Sequence, residues 1–177
     1  KIKEESSCHW TEARHCQIAE LTAIISMCGR VTIDSRERYA VKVKTENISV
    51  ARKYFTLLKK TFNIETETFV SRNLARDTTS YTVTIKDHED AMRVLQAAKL
   101  VDAEGEITEE FSIIKNMIIQ HSCCKRAFIR GAFLVAGSIS NPEKSYHIEI
   151  VCPVQKKAEQ IRMIINSFGL DAKVIVR

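Results

Sequence analysis

No apolar run in this chain is long enough to cross a membrane. Arg30, Lys115, Asn116 and Arg130 interrupt the longest hydrophobic stretches, which stay short of the roughly 18 residues a spanning helix needs. The opening residues KIKEE read as a polar helix start. With no basic segment followed by an apolar one, no signal peptide is expected, and the expected location is cytoplasmic. The sequence has no C-x-x-C pair among Cys8, Cys16, Cys28, Cys123, Cys124 and Cys152. A chain of 177 residues has no need of disulfide stapling, so reduced thiols are expected. His9, His15 and Cys16 on one side and His121, Cys123 and Cys124 on the other are zinc-type ligands. The two halves are widely separated in sequence, and cysteine is commonly a small buried hydrophobe, so neither metal nor cofactor is expected. Strong charge of one sign is also lacking. The 27 Lys and Arg against 22 Asp and Glu leave +5, an excess compatible with a nucleic-acid partner without requiring one.

What the chain does have is a near-repeat. Residues 21–29 (LTAIISMCG) and 129–137 (IRGAFLVAG) are matching apolar segments that each end in glycine. After each copy come a strand, a turn, a return strand and a helix. The fold class expected is therefore α+β, a mixed α/β architecture of two pseudo-symmetric helix-strand-strand-helix units with antiparallel sheets. The first unit is placed at residues 1–105. The second is placed at 106–177 and expected to be incomplete at its C-terminal end.

In the first unit the spacing predicts a helix over 12–28 with Thr11 as N-cap. Strands follow at 29–33 and 39–45, where Tyr39, Val41 and Val43 alternate with polar neighbours. A helix over 49–60 is expected to bury Ala51, Phe55 and Leu58; strands are placed at 64–70 and 80–86, and a helix at 87–98. In the second unit helices are expected at 108–120, with Phe111, Ile114 and Ile118 on one side, and at 124–136. Strands are expected at 138–140 and 146–152, a helix at 156–167 burying Ala158, Ile161 and Ile165, and a final strand at 172–176.

Ala19 and Ala23 in the first copied helix, and Ala127 and Gly131 in the second, recur four residues apart and so share a face. Small residues let two backbones approach closely, and Gly131 mid-helix otherwise costs about 1 kcal/mol relative to alanine. The two helices are therefore expected to pack together along these positions. Gly29 and Gly137 are expected to end the helices with positive φ, turning the chain directly into a strand.

The spacing of 21–29 and 129–137 is similar to the LAGLIDADG motif of homing endonucleases. More closely, residues 19–23 (AELTA), residues 47–60, and residues 123–139 (CCKRAFIRGAFLVAGSI) resemble the N-terminal domain of the WhiA family of bacterial sporulation and cell-division regulators. The resemblance covers essentially the whole chain. It implies a LAGLIDADG homing-endonuclease-like fold in a DNA-associated, nucleoid-located transcriptional regulator. It also implies a C-terminal helix-turn-helix domain carrying the main sequence-specific binding, which is not within these residues.

In the endonucleases one acid stands at the foot of each motif helix, where two carboxylates hold a divalent metal for phosphodiester cleavage. The matching positions here are Cys28 and Ala136, neither with a carboxylate. The resemblance therefore implies a catalytically inactive relative and not an enzyme. Cys28, at the C-terminal end of its helix where the dipole disfavours an anion, is expected to be a packed inert thiol. Weak, mainly electrostatic DNA contact is expected from Lys42, Lys44 and Lys86 on the wet strand faces and Arg36 and Arg38 in the joining turn. Thr32, Asp34, Thr82 and Thr84 share that wet surface. Glu149 in the second unit would repel a phosphate backbone. The alternative is a protein-protein interaction module that regulates the attached helix-turn-helix domain. The fragment is expected to be a monomer, since both motif copies lie in one chain.

Overall fold

The computed structural model of the protein describes all residues except 103, 108–118, 141, 142 and 144. A short helix α1 (Ile2–Ser7) precedes α2 (Arg14–Cys28), the first copied helix. α2 runs straight into the hairpin β1 (Gly29–Ile33) and β2 (Tyr39–Thr45), followed by α3 (Ile48–Phe62), the hairpin β3 (Glu67–Asn73) and β4 (Thr78–Ile85), and α4 (His88–Ala97). The second copied helix, α5 (Ser122–Ala136), leads into β5 (Gly137–Ile139), β6 (Ile148–Ile150) and α6 (Gln155–Asn166). The mixed α/β fold with repeated helix-strand-strand-helix units is therefore present. The first sheet is antiparallel in the order β1-β2-β4-β3, and β5 and β6 form a separate antiparallel pair.

Local chemistry accounts for most element ends. Asn47 caps α3, its side chain accepting from the Ser49 N–H at 2.8 Å, and Asn63 closes the helix in the left-handed region at φ 54°. Asp87 caps α4 by accepting from the Asp90 N–H at 3.0 Å. Thr11 does not cap α2. The helix starts at Arg14 behind Ala13, and the Gln17 side-chain amide donates instead to the Thr11 carbonyl at 2.9 Å.

Alternation sets the sheet. Val41, Val43, Val83 and Ile85 are buried on one face, where Leu21, Ile24, Ile25, Tyr54, Leu57, Leu58, Val94 and Leu95 cover them. A second apolar cluster lies between α2, α5 and α6 and includes Ala19, Ala23, Met27, Ala127, Phe128, Ile161 and Ile164. α2 thus serves both clusters. That explains why almost its entire circumference is buried and why it lacks a polar face.

Several expectations are corrected. Phe55 is 41% exposed; Val50, Ala51, Tyr54, Leu57 and Leu58 form the buried stripe of α3 instead. β3 begins at Glu67, three residues after the expected start, and its pairing with β4 extends to Asn73↔Thr78 around a tight turn with Asp77 at φ 48°. β6 is confined to 148–150 because β5 offers it only three partners. Residues 172–176 form no strand, lacking a ladder partner among the described residues. α6 buries Ile161, Ile164 and Lys157, with Ala158 and Ile165 only partly covered. The helix expected over 108–120, with Phe111, Ile114 and Ile118, falls almost wholly outside the described residues.

Candidate functional site

The two copied helices meet along their small residues. Ala19, Ala23 and Ala127 are fully buried, and a Cβ added to Gly131 would lie 2.7 Å from the Glu20 carbonyl oxygen and 2.9 Å from the Ala23 Cβ. Glu20 and Ala23 against Gly131, and His15 against Cys123 one end along, show the helices running in the same direction. Their C-terminal ends, Cys28 and Ala136, therefore form two adjacent feet, each handing the chain to a strand.

The glycines at these feet are required by contact and not by φ. Gly29 has φ −86° and Gly137 φ −83°, ordinary extended values that correct the expected positive φ. A Cβ on Gly29 would fall 2.5 Å from the Ile25 carbonyl oxygen, and one on Gly137 would enter the Phe133 ring. The helix passes into the strand with no room for a side chain.

At the first foot the Cys28 Sγ donates to the Ile24 carbonyl at 3.3 Å, and burial pushes its thiol up to about 12, only partly opposed by the Lys157 ammonium. The protonated thiol is a poor nucleophile and a poor ligand. Lys157, reaching over from α6, is 8% exposed and donates to the Ser26 carbonyl. The Lys157 ammonium thus stands beside the first foot, and Ala136 offers no side-chain ligand atom at the second.

The outer face of the first sheet carries a cationic row. Cross-strand register places Arg30 opposite Lys42 and Lys42 opposite Thr84, while Lys44 stands opposite Thr82. Arg30, Lys42 and Lys44 are exposed. Arg30 belongs to this row by its position two residues before Thr32, an alternation the sequence contains. Lys86 lies beyond the end of β4 and is joined to Glu67 at 2.7 Å. Arg36 and Arg38 sit in the β1–β2 turn, where the Asp34 carboxylate accepts from both backbone N–H groups at 2.8 and 3.0 Å. Those two bonds, the Arg38 one first, hold the Asp34 carboxyl below its usual 3.8.

The second sheet differs. Glu149 is opposite Ser138 and its carboxylate meets Arg177 at 2.9 Å, so its charge is paired. Around it Tyr146, Ile148, Val151, Leu170, Ile175 and Val176 are 63–83% exposed. Where the outer face of the first sheet carries cations, that of the second carries Ser138 and Glu149, and Ile148 alternates with Glu149 onto the other face.

Two polar constellations escape simple patterning. Glu20, 1% exposed on α2, lies 3.4 Å from Lys53 of α3 and 3.5 Å from Arg130 of α5, tying three helices. Lys53 also donates to the His9 carbonyl and lies 3.9 Å from the centre of the Trp10 ring. Desolvation raises the Glu20 carboxyl and lowers the Lys53 ammonium despite their attraction. At the other end of the seam, His15, Cys16, Cys123 and Cys124 bring their ligand atoms within 4.8 Å of one another. The sequence separation argued against this meeting; the parallel helices create it. His9 takes no part in this group, and the His121 ring stands edge-on to His15 with centroids 5.9 Å apart.

Residues 14–101 match the family described as the WhiA N-terminal LAGLIDADG-like domain, and residues 125–177 match the WhiA LAGLIDADG-like domain. The chain is 44% identical over 178 residues to the probable cell division protein WhiA of Lachnoclostridium phytofermentans, covering 100% of this chain and 56% of that protein. It is 38% identical over 181 residues to the protein of the same description from Alkaliphilus metalliredigens, covering 100% and 54%. The chain thus spans about half the length of these curated relatives. Among solved structures, the N-terminal LAGLIDADG domain of DUF199/WhiA superposes with TM-score 0.69 at 22% identity, over 99% of this chain and 77% of that one. The full-length DUF199/WhiA from Thermatoga maritima gives 0.66 at 22%, covering 99% and 52%. A structure of the homing endonuclease I-DmoI with DNA and Mn gives 0.56 at 12%, over 90% of this chain and 81% of that one. At these identities the structural matches establish the shared fold.

Proposed function

The chain belongs to the WhiA family, and from that premise we propose that it is a non-cleaving homing-endonuclease-like domain of a DNA-binding transcriptional regulator. The observation that carries the loss of cleavage is the pair of feet: Cys28, a half-buried protonated thiol beside Lys157, and Ala136, with no ligand atom. Metal-assisted phosphodiester hydrolysis needs hard oxygen ligands to hold the cation and orient water. The side chains at the two feet supply none. Incubating the protein with supercoiled plasmid and Mg²⁺ or Mn²⁺ is expected to leave the plasmid intact. Nicking that survives repurification and disappears on substituting a nearby acid would overturn the proposal.

The domain keeps a surface for electrostatic DNA contact in Arg30, Lys42 and Lys44, flanked by Arg36, Arg38 and Lys86. Lys and Arg neutralise phosphates without reading sequence, so this contact positions the protein, and specificity is assigned to a helix-turn-helix region outside this chain. The solved complex of I-DmoI with DNA supports the reading through the shared fold.

A second reading rests on the second sheet. Ile148 of β6, with Val151 and Leu170 lining the same open cleft, exposes apolar side chains that suit a protein partner better than a phosphate backbone. A partner held there would regulate DNA binding by the rest of the protein. Salt separates the two surfaces: phosphate contacts weaken steeply as salt rises, and apolar contacts do not.

A further inference from the structure

We propose that His15, Cys16, Cys123 and Cys124 form a binding site for one soft divalent cation of the zinc class, clamping the first turns of the two copied helices to each other. His15 and Cys16 come from the start of α2, and Cys123 and Cys124 from the start of α5. Their four ligand atoms lie within 4.8 Å of one another, with His15 Nε2 3.4 Å from Cys123 Sγ. A tetrahedral zinc ion with three sulfurs at about 2.3 Å and one nitrogen at about 2.0 Å sets ligand-ligand edges of roughly 3.5–3.8 Å. The imidazole-thiol edge already matches, and since no pair is wider than 4.8 Å, none exceeds such an edge by more than about 1 Å.

The donor set selects the ion. Three sulfurs and an imidazole are the ligands of a closed structural zinc site and suit neither magnesium nor calcium, which require oxygen. Burial divides the set into an anchored half and an open half. Cys16 is 3% and Cys124 2% exposed, whereas His15 and Cys123 face solvent and leave a path for the ion. Both helices direct their N-terminal ends toward the cluster, and the partial positive charge there favours thiolates. On binding, the cation takes the place of the thiol protons, which pass to solvent, and no electrons move.

The site lies at the opposite end of the seam from Cys28 and Ala136. Its role is structural: it fixes the start of α2 against the start of α5, where the chain closes its two units. It does not depend on whether the sheet face binds DNA. The usual closely spaced C-x₂₋₄-C signature is absent because each ligand pair consists of adjacent residues in one helical turn, and the two pairs are joined by folding.

The test is cobalt substitution of the protein purified under reducing conditions. Co²⁺ is expected to bind once per chain, with thiolate charge-transfer absorption and the intense visible bands of tetrahedral coordination, and to be displaced by Zn²⁺. Cys123→Ser and His15→Ala, both at exposed positions, are expected to weaken binding by more than the roughly 10–100-fold that loss of a supporting partner costs. Cys16→Ser is expected to abolish the tetrahedral spectrum; Cys8→Ser, at an exposed thiol outside the cluster, is expected to leave it unchanged. A strong chelator is expected to lower Tm of the cation-loaded protein and to have no effect on Cys123→Ser. An octahedral spectrum, absence of stoichiometric binding at micromolar Co²⁺, a Cys16–Cys123 disulfide in the reduced preparation, or unchanged binding by folded Cys123→Ser would each overturn the proposal.

Discussion

Gly131 is the residue at which the seam between the copied helices is most sensitive. An alanine in a helix ordinarily gains about 1 kcal/mol over glycine. Here its Cβ would stand 2.7 Å from the backbone oxygen of Glu20, which cannot swing aside as a side chain can. Gly131→Ala is therefore expected to reverse the usual sign and cost about 1–3 kcal/mol by forcing α2 and α5 apart, read from the urea midpoint. A stabilised variant would show that the helices tolerate separation. Beside it, Glu20→Gln leaves Lys53 a buried cation without its carboxylate and is expected to cost about 3–5 kcal/mol. Combining it with Lys53→Met removes the fully buried cation and leaves only Arg130, 19% exposed and within reach of water, so it is expected to cost less than Glu20→Gln alone. An additive double variant would contradict a coupled pair. The small residues were visible in the sequence as an i, i+4 pattern, but the buried ion pair was not. Glu20 and Lys53 look like surface residues until α3 and α5 are both laid against α2.

The element scale shows why strands were easier to read in the first unit than in the second. β1 and β2 alternate over five paired positions, and Val41 and Val43 fall on the buried face that period two assigns them. The same alternation at 172–176 gives no strand, because a strand is defined by a neighbour and not by its own pattern alone. Phe55 was misplaced for a related reason: helical spacing identifies an apolar stripe, but the position of α3 against the sheet decides its edge. The β1–β2 turn carries its own pH dependence. Its Asp34 carboxyl titrates below the usual 3.8 because the folded turn donates two N–H groups to the ionised form. The contribution is thus present above the unfolded value and lost as pH falls through the lowered folded one. Amide exchange at Arg36 and Arg38, corrected for intrinsic rate, is expected to lose protection on acidification below about 3.8, and Asp34→Ala is expected to show that loss already at neutral pH. Protection that Asp34→Ala leaves unchanged at neutral pH would mean that the backbone holds the turn without the carboxylate.

At the scale of the whole molecule, two seam helices in one chain provide the pairing that a single-copy relative must obtain from a second subunit. A monomer is expected, with light scattering at micromolar concentration returning 20.2 kDa; twice that mass would point to the apolar second sheet as a self-association surface. The duplicated fold was legible in the sequence, because helix period and the order of elements need no tertiary information; that Cys28 and Ala136 stand where acids are expected follows from the resemblance to the endonuclease motif. The cationic row was legible in part, with Arg30 joining it only through cross-strand register. The zinc-type side chains of the ligand cluster were visible in the sequence but their meeting was not, since its halves come together only when the helices run parallel.

A DNA-contacting face without cleavage chemistry, as proposed, has a direct signature in DNA binding across a salt series. The protein and its Lys42→Ala/Lys44→Ala variant are titrated against unrelated duplexes. Binding is expected to be weak, insensitive to sequence and steeply weakened by salt, with a slope shallower in the variant by roughly two phosphate contacts at about 0.9 each. Tight binding by this domain to one sequence, unchanged by the double substitution, would contradict it.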